Sequence, residues 1–268
     1  MLHVAKPNSS IRTKPLDPLA YSHKTHSAMI EFTRACNLKC TYCAVSQPYW
    51  EPTELDLNKI SVDNIIKSLK SRGTKTAILH GHGETTIVDN WHIHADKFID
   101  NGINAAICTN LAKNFTEEEI EILSKFISIT VSIDTTDPVL FKKMRRGGDL
   151  RQVALNMTKI KSKAMQKKHK INWIWSSVIA DVNIHGVVDL IDYGLSLGVN
   201  TFCLCNLTVL PTPPGGLKIK HLSELPKEEA IKALELLNTA KLRCEQHGAL
   251  FDAKAGLIDT LERKVNAD

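Results

Sequence analysis

Hydrophobic and polar positions alternate along this chain in two rhythms. Six short apolar runs read as strands: AMIEFTR from Ala28, TAILHG from Thr76, NAAICTN from Asn104, ISITVSID from Ile127, INWIWSSVI from Ile171 and TFCLCNL from Thr201. Between them, and after the last, apolar positions recur at helical spacing over Leu57 to Ser71, Asn90 to Asn101, Thr116 to Lys125, Asp149 to Gln166, His185 to Leu197 and Pro226 to Gln246. SVDN from Ser61 and TEEE from Thr116 carry cap signals, in which a side-chain oxygen accepts from amides that the first helical turn leaves unpaired.

Strands that alternate with helices imply parallel pairing through right-handed crossovers, and the apolar strands imply helices over both sheet faces. Such an α/β sheet stays open or curls into a partial barrel. In both cases ligands gather at the carboxyl ends of the strands. Residues 1–27 form a polar, Pro-containing leader, residues 28–210 the alternating body, and residues 211–268 a loop and helix that complete the domain. The loop opens with PTPPGG from Pro211 and is expected to lie over the active face.

Composition narrows the setting. With 268 residues, 43% of them hydrophobic and 24% charged, the chain supports one sizeable core. It has no apolar run of membrane-spanning length, and the N-terminus lacks the apolar centre of a signal peptide, so a cytoplasmic location is expected. The net charge of +5 is a mild excess, partly concentrated in KIKSKAMQKKHK from Lys159 to Lys170, which is read as a solvated helix and loop. Neither a membrane nor a nucleic acid is expected as partner. Seven cysteines, three of them within eight residues, fit metal ligation better than a disulfide framework.

Those three are Cys36, Cys40 and Cys43 in RACNLKCTYC, directly after the first strand. A structural zinc site wants a fourth ligand, and Cys108, Cys203, Cys205 and Cys244 lie in expected strands or a helix with no second CxxC or HxxxH pair. Three thiolates on a tight loop suit three irons of a cubane and leave the fourth iron open. The CxxxCxxC spacing, the aromatic Tyr42 before the last cysteine and the position after the first strand resemble the radical S-adenosylmethionine (SAM) superfamily. The resemblance implies a [4Fe-4S] cluster whose open iron chelates the amino and carboxylate groups of S-adenosylmethionine. It further implies cleavage by one electron, from a reductant such as flavodoxin or ferredoxin, to methionine and a 5′-deoxyadenosyl radical that abstracts hydrogen from substrate. The implied fold is a partial (β/α)6 TIM-like barrel of parallel strands.

Further elements follow in the order the resemblance implies, from Ala28 to Leu207. HGHGETT, from His80 to Thr86, stands where a GGEP-like turn is expected; Gly83 and Glu84 match it, while His82 and Thr85 depart from it. Asn110 ends CTN, where the family often has TNG, and Ser132 and Asp134 stand in SIDTTD. Arg145 and Arg146, in FKKMRRGGDL, resemble an arginine-glycine element. By this resemblance Tyr42, Gly83, Glu84, Asn110, Ser132, Asp134 and Arg146 are expected to bind the cofactor.

One cysteine, Cys244, follows the sixth strand, so neither an auxiliary-cluster extension nor a cobalamin domain is expected. The leading expectation is a single-cluster biosynthetic enzyme that abstracts hydrogen from a small metabolite or a peptide. Alternation in TFCLCNL puts Cys203 and Cys205 on one face of the sixth strand; if that face is inward, one thiol can return hydrogen to a substrate radical, which resembles single-cluster epimerases. A glycyl-radical-enzyme activase and a non-enzymatic Fe-S or zinc-binding module are the alternatives. Trp173 and Trp175 read as core or pocket lining, and Ser176, Ser177 and Asn206 as polar strand ends.

Overall fold

The computed structural model describes residues 26–52, 62–253 and 256–266. In chain order the elements are β1 (Ser27–Ile30), β2 (Lys39–Cys40), α1 (Val62–Ser71), β3 (Thr76–Leu79), α2 (Trp91–Asp100), β4 (Asn104–Thr109), α3 (Glu117–Leu123), β5 (Ser128–Ser132) and α4 (Pro138–Met144). They continue with β6 (Arg145–Arg146), α5 (Leu150–Gln166), β7 (Asn172–Ile179), α6 (Val187–Ser196), β8 (Thr201–Asn206), α7 (Lys227–Gln246), β9 (Leu250–Ala253) and α8 (Leu257–Asn266). Each expected strand and helix has its counterpart. The leader up to residue 25, and the stretch 57–61 that opens the first expected helix, lie outside the described residues. The cap expected at Thr116 is a full capping box: its side chain accepts from the Glu119 amide, and the Glu119 carboxylate accepts from the Thr116 amide.

Among the described residues seven strands, not six, form the main sheet, all parallel and in the order β1-β3-β4-β5-β7-β8-β9. Chain order equals spatial order, so every crossover steps the same way, and right-handed crossovers then place the helices on one face. That winding curls a sheet toward a barrel.

The expectation of helices over both faces is corrected by burial, which alternates along β5, β7 and β8. Ile129, Val131, Trp173, Trp175, Phe202 and Leu204 are buried toward the helices. Their alternate neighbours, including Ser132, Ser176, Cys203 and Cys205, are half-buried and line the concave face. Trp175 packs against Tyr193 of α6 and Phe202, with centroids 5.9 and 6.0 Å apart. The two tryptophans are therefore core. Helix α6 approaches so closely that a Cβ on Gly194 would sit 2.4 Å from the Phe202 ring. Each large apolar side chain buried in this layer contributes about 1.5–3 kcal/mol. Leu222, Leu237, Leu257 and Leu261 belong to the same core cluster, so the segment after β8 packs on the barrel. No helix among the described residues is long and apolar enough to cross a membrane.

Candidate active site

The cysteine loop leaves β1 and is clamped from below. Its β2 pairs antiparallel with β6, Cys40 opposite Arg145 and Lys39 opposite Arg146. The Thr41 amide donates to Met144 O at 2.8 Å, and its hydroxyl donates to Lys143 O at 3.0 Å. A tight turn then brings the Cys43 amide to Cys40 O at 3.1 Å. Cys36 and Cys43 stay half-buried and Cys40 is buried. Cys36 Sγ accepts from the Leu38 amide at 3.4 Å and from Asn110 Nδ2 at 3.8 Å.

This donor set fits an iron–sulfur cluster. The thiols lie within electrostatic reach of one another: Cys36 feels Cys43, and Cys40 feels both. Among the described residues no three His, Cys, Asp or Glu side chains converge on a single metal-ion position. A cubane does not require that, because each thiolate takes a separate iron. Burial pushes the Cys36 thiol up and the Cys40 thiol up to about 12. Both are protonated as free thiols at neutral pH, and iron binding releases those protons.

The turn after β3 packs onto this loop at van der Waals limits. A Cβ on Gly83 would lie 2.3 Å from Ala35 O and 2.5 Å from Thr33 O, so glycine is required for the approach. Glu84 is buried and braces the strand ends. Its amide donates to Ala35 O at 2.9 Å. Its carboxylate accepts from the Thr86 and Thr109 hydroxyls, both at 2.8 Å, and from the Asn110 amide at 2.7 Å. Asn110 Nδ2 in turn donates to Asn37 Oδ1 at 2.9 Å, inside the cysteine loop. Gly83, Glu84 and Asn110 thus meet around Cys36.

Beneath Cys40 lies a second network. Asp134 is buried, with Oδ1 accepting from Arg145 Nη2 and from the Val178 amide, each at 2.9 Å. Arg145 Nε stands 2.8 Å from Asp134 Oδ2, and the Tyr42 hydroxyl donates to that same oxygen. The guanidinium also lies over the Tyr42 ring, 5.8 Å from its centroid. Burial pushes the Tyr42 phenol well above its ordinary value. Burial works against the Arg145 charge, but Asp134 outweighs it and holds the guanidinium charged. Tyr42 and Asp134 are therefore brought together, while Arg146 goes elsewhere. Its Nε donates to Lys39 O at 2.8 Å and its Nη1 to Pro214 O at 2.7 Å. Sequence reasoning put Arg146 ahead of Arg145, since a two-residue strand offers no periodicity to say which side chain turns inward.

The loop that begins with PTPPGG runs over the cysteine loop. Gln47 Nε2 donates to Pro211 O at 2.8 Å, and the Leu217 amide donates to Thr41 Oγ1 at 3.3 Å. With the Arg146 contact, these bonds tie the strap to the cysteine loop at three points. His82 is engaged away from it: its amide donates to Glu31 Oε1 at 2.6 Å, and its ring lies 5.3 Å from the Trp50 ring, tilted by 39°.

Below the loop, Ser132, Cys203 and Cys205 face the concave side. Cys108 Sγ lies 3.9 Å from Ser132 Oγ, and burial pushes its thiol up to about 11. Cys203 Sγ lies 3.8 Å from Asp252 Oδ2 on β9. Sequence reasoning missed Asp252 because it missed β9. Ser176 shares this face, whereas buried Ser177 donates to Ile133 O and Asn206 Nδ2 donates to Gly256 O at 2.9 Å.

A parallel strand-helix barrel with three thiolates on its first loop, above a polar lumen, defines an iron–sulfur enzyme that works at the carboxyl ends of its strands. Residues 30–194 match the model of the Radical SAM superfamily, and the chain belongs to that superfamily. Its cofactors are a [4Fe-4S] cluster and S-adenosylmethionine. When bound, they supply reductive cleavage to a 5′-deoxyadenosyl radical. Cys36, Cys40 and Cys43 are the residues that would hold the cluster.

The chain is 28% identical over 183 residues to the GTP 3′,8-cyclase of Lactiplantibacillus plantarum, covering 64% of this chain and 51% of that protein. A probable GTP 3′,8-cyclase of Methanococcus maripaludis is 24% identical over 250 residues, 90% of this chain and 76% of that one. Streptococcus suis SuiB bound to S-adenosylmethionine shares the fold, with a TM-score of 0.66 at 18% identity over 88% of this chain and 52% of that one. The chain thus spans about half the length of the first of these relatives and of SuiB.

Proposed function

We propose that this protein is a single-cluster radical SAM enzyme that abstracts a hydrogen atom from a small metabolite or a peptide in a biosynthetic pathway, and that Cys205 or Cys203 returns one. The carrying observation is the inward face of β8, where both cysteines line the lumen while Phe202 and Leu204 turn to the helices. Hydrogen passes from a substrate C–H bond to the 5′-deoxyadenosyl radical and gives 5′-deoxyadenosine. The substrate carbon radical then takes hydrogen from the thiol S–H, and the product is an epimer. The thiyl radical left behind regains its thiol with one electron and one proton, the electron coming from flavodoxin or ferredoxin. The working location is the cytoplasm, where such reductants are available.

In this reading Gly83 and Asn110 shape the cofactor cradle around Cys36, Ser132 faces the ligand, and Glu84, Tyr42 and Asp134 fix its walls. Arg146 holds the strap. A second reading, ring closure on a purine nucleotide, is favoured by the relatives named as GTP 3′,8-cyclases.

The test is reconstituted enzyme incubated in D2O with the small-molecule and peptide fraction of a producing-cell extract. One deuterium per product molecule is expected. Cys205→Ala or Cys203→Ala should still form 5′-deoxyadenosine while the labelled product falls by at least about tenfold. Unchanged product in both variants refutes the thiol donor, and a GTP-derived product without carbon-bound deuterium instead favours ring closure.

A further inference from the structure

Strand register places four polar side chains in one row across four adjacent strands. Ser132 on β5 is opposite Ser176 on β7, Ser176 is opposite Cys203 on β8, and Cys203 is opposite Asp252 on β9. Side chains opposite one another in a parallel ladder share a face, and the cysteine marks that face as the lumen. The row lies near the carboxyl ends: Ser132 is the last residue of β5, and Asp252 is one residue from the end of β9. Cys205, one step further toward that end, is opposite Val178.

Asp252 is the charged member of this row. It is half-buried, and its polar contact is the Cys203 thiol at 3.8 Å. Among the described residues it has no ion-pair partner. The row below it (Cys108, Thr130, Ile174 and Thr201) carries no charge. A half-buried carboxylate with no ion-pair partner among the described residues favours a ligand that supplies a cation. A triphosphate would meet repulsion at this wall.

We infer that the Ser132–Ser176–Cys203–Asp252 row is the substrate-recognition wall of the barrel, and that Asp252 selects substrates bearing an ammonium or guanidinium group. The two serine hydroxyls give hydrogen bonds to the neutral polar part of such a substrate. The carboxylate anchors its cation and holds the adjoining C–H bonds next to Cys205. This rests on the hydrogen-abstraction reading for its purpose, but its test needs no turnover, so the two fail separately.

The test labels the cluster-loaded protein with two methanethiosulfonate reagents of similar size, one a trimethylammonium cation and one a sulfonate anion. Tandem mass spectrometry then reads modification at Cys203. The cationic reagent should label Cys203 roughly ten- to hundredfold faster. Asp252→Asn should bring the ratio close to one, and Asp252→Glu should restore the preference. Agmatine should slow labelling of the wild type, whereas GTP should not. A wild-type ratio near or below one, a preference that survives Asp252→Asn, protection by GTP, or failure of both reagents to reach Cys203 would each overturn the inference.

Discussion

At the scale of single residues, the buried Asp134–Arg145 pair decides how firmly the cysteine loop is seated. Arg145 pairs with Cys40 through its backbone and with Asp134 through its guanidinium, so one residue joins the loop to β5 and β7. Removing one partner of a buried pair leaves an uncompensated charge and costs about 3–5 kcal/mol. Arg145→Ala is therefore expected to lower unfolding stability by that amount in a denaturant titration, and Arg146→Ala by less than about 1 kcal/mol, because its bonds are at the surface. Equal losses would contradict the assignment of the inner role to Arg145. At this scale the sequence singles out the three cysteines as candidate cluster ligands by their spacing and their place after the first strand. The choice between two adjacent arginines was not legible, because it depends on a pairing with residues more than a hundred positions away.

At the scale of elements, close packing and caps carry the argument. Gly83→Ala would drive a methyl group into the carbonyls of Thr33 and Ala35. The expected result is at least a several-fold loss of iron retained per chain while the far-ultraviolet circular dichroism keeps its helical content. Retention of full iron would show that the turn can retreat from the loop at little cost. Glu119 holds α3 to its surroundings: its Oε1 accepts from Trp91 Nε1 at 2.6 Å and Lys113 Nζ at 2.7 Å, beyond its capping role. Burial raises its carboxyl pKa, but the bonds from Lys113, Thr116 and Trp91 outweigh burial and hold it below the ordinary 4.5. A depressed carboxyl contributes stability that is present above its ordinary value and lost as pH falls through the lower folded value. Glu119→Gln should therefore destabilise the protein near pH 7, with a gap to wild type that narrows below about pH 4.5. A gap independent of pH would place the effect in shape instead of charge. The long elements were legible because each shows several apolar periods. Strand β9 was not: it has four residues, Leu250 at its start is 62% exposed, and Asp252 turns inward where an apolar residue would have signalled a strand.

At the scale of the whole molecule, one winding direction gathers the cysteine loop, the glycine turn and the inward thiols of β8 at one end of a curled sheet. Alternating strands and helices left open and closed sheets undecided; sequential strand order decides it, and order is a property of pairing that no single segment carries. The strap over the cysteine loop belongs to this scale, since Gln47, Thr41 and Arg146 tie it to residues from distant parts of the chain. Arg146→Ala is expected to loosen it and to speed bleaching of the cluster absorbance in air by a few-fold, read by visible spectroscopy. An unchanged rate would mean that the strap does not screen the cluster.

The central claim is that Cys36, Cys40 and Cys43 carry a cluster that cleaves S-adenosylmethionine. The direct measurement is anaerobic reconstitution with iron and sulfide, followed by reduction with dithionite and assay for 5′-deoxyadenosine, in wild type and in Cys40→Ala. The wild type should bind about four irons per chain and form 5′-deoxyadenosine, and Cys40→Ala should do so at least about a thousandfold more slowly. An iron-loaded wild type that leaves S-adenosylmethionine intact, or cleavage that survives Cys40→Ala, would contradict it.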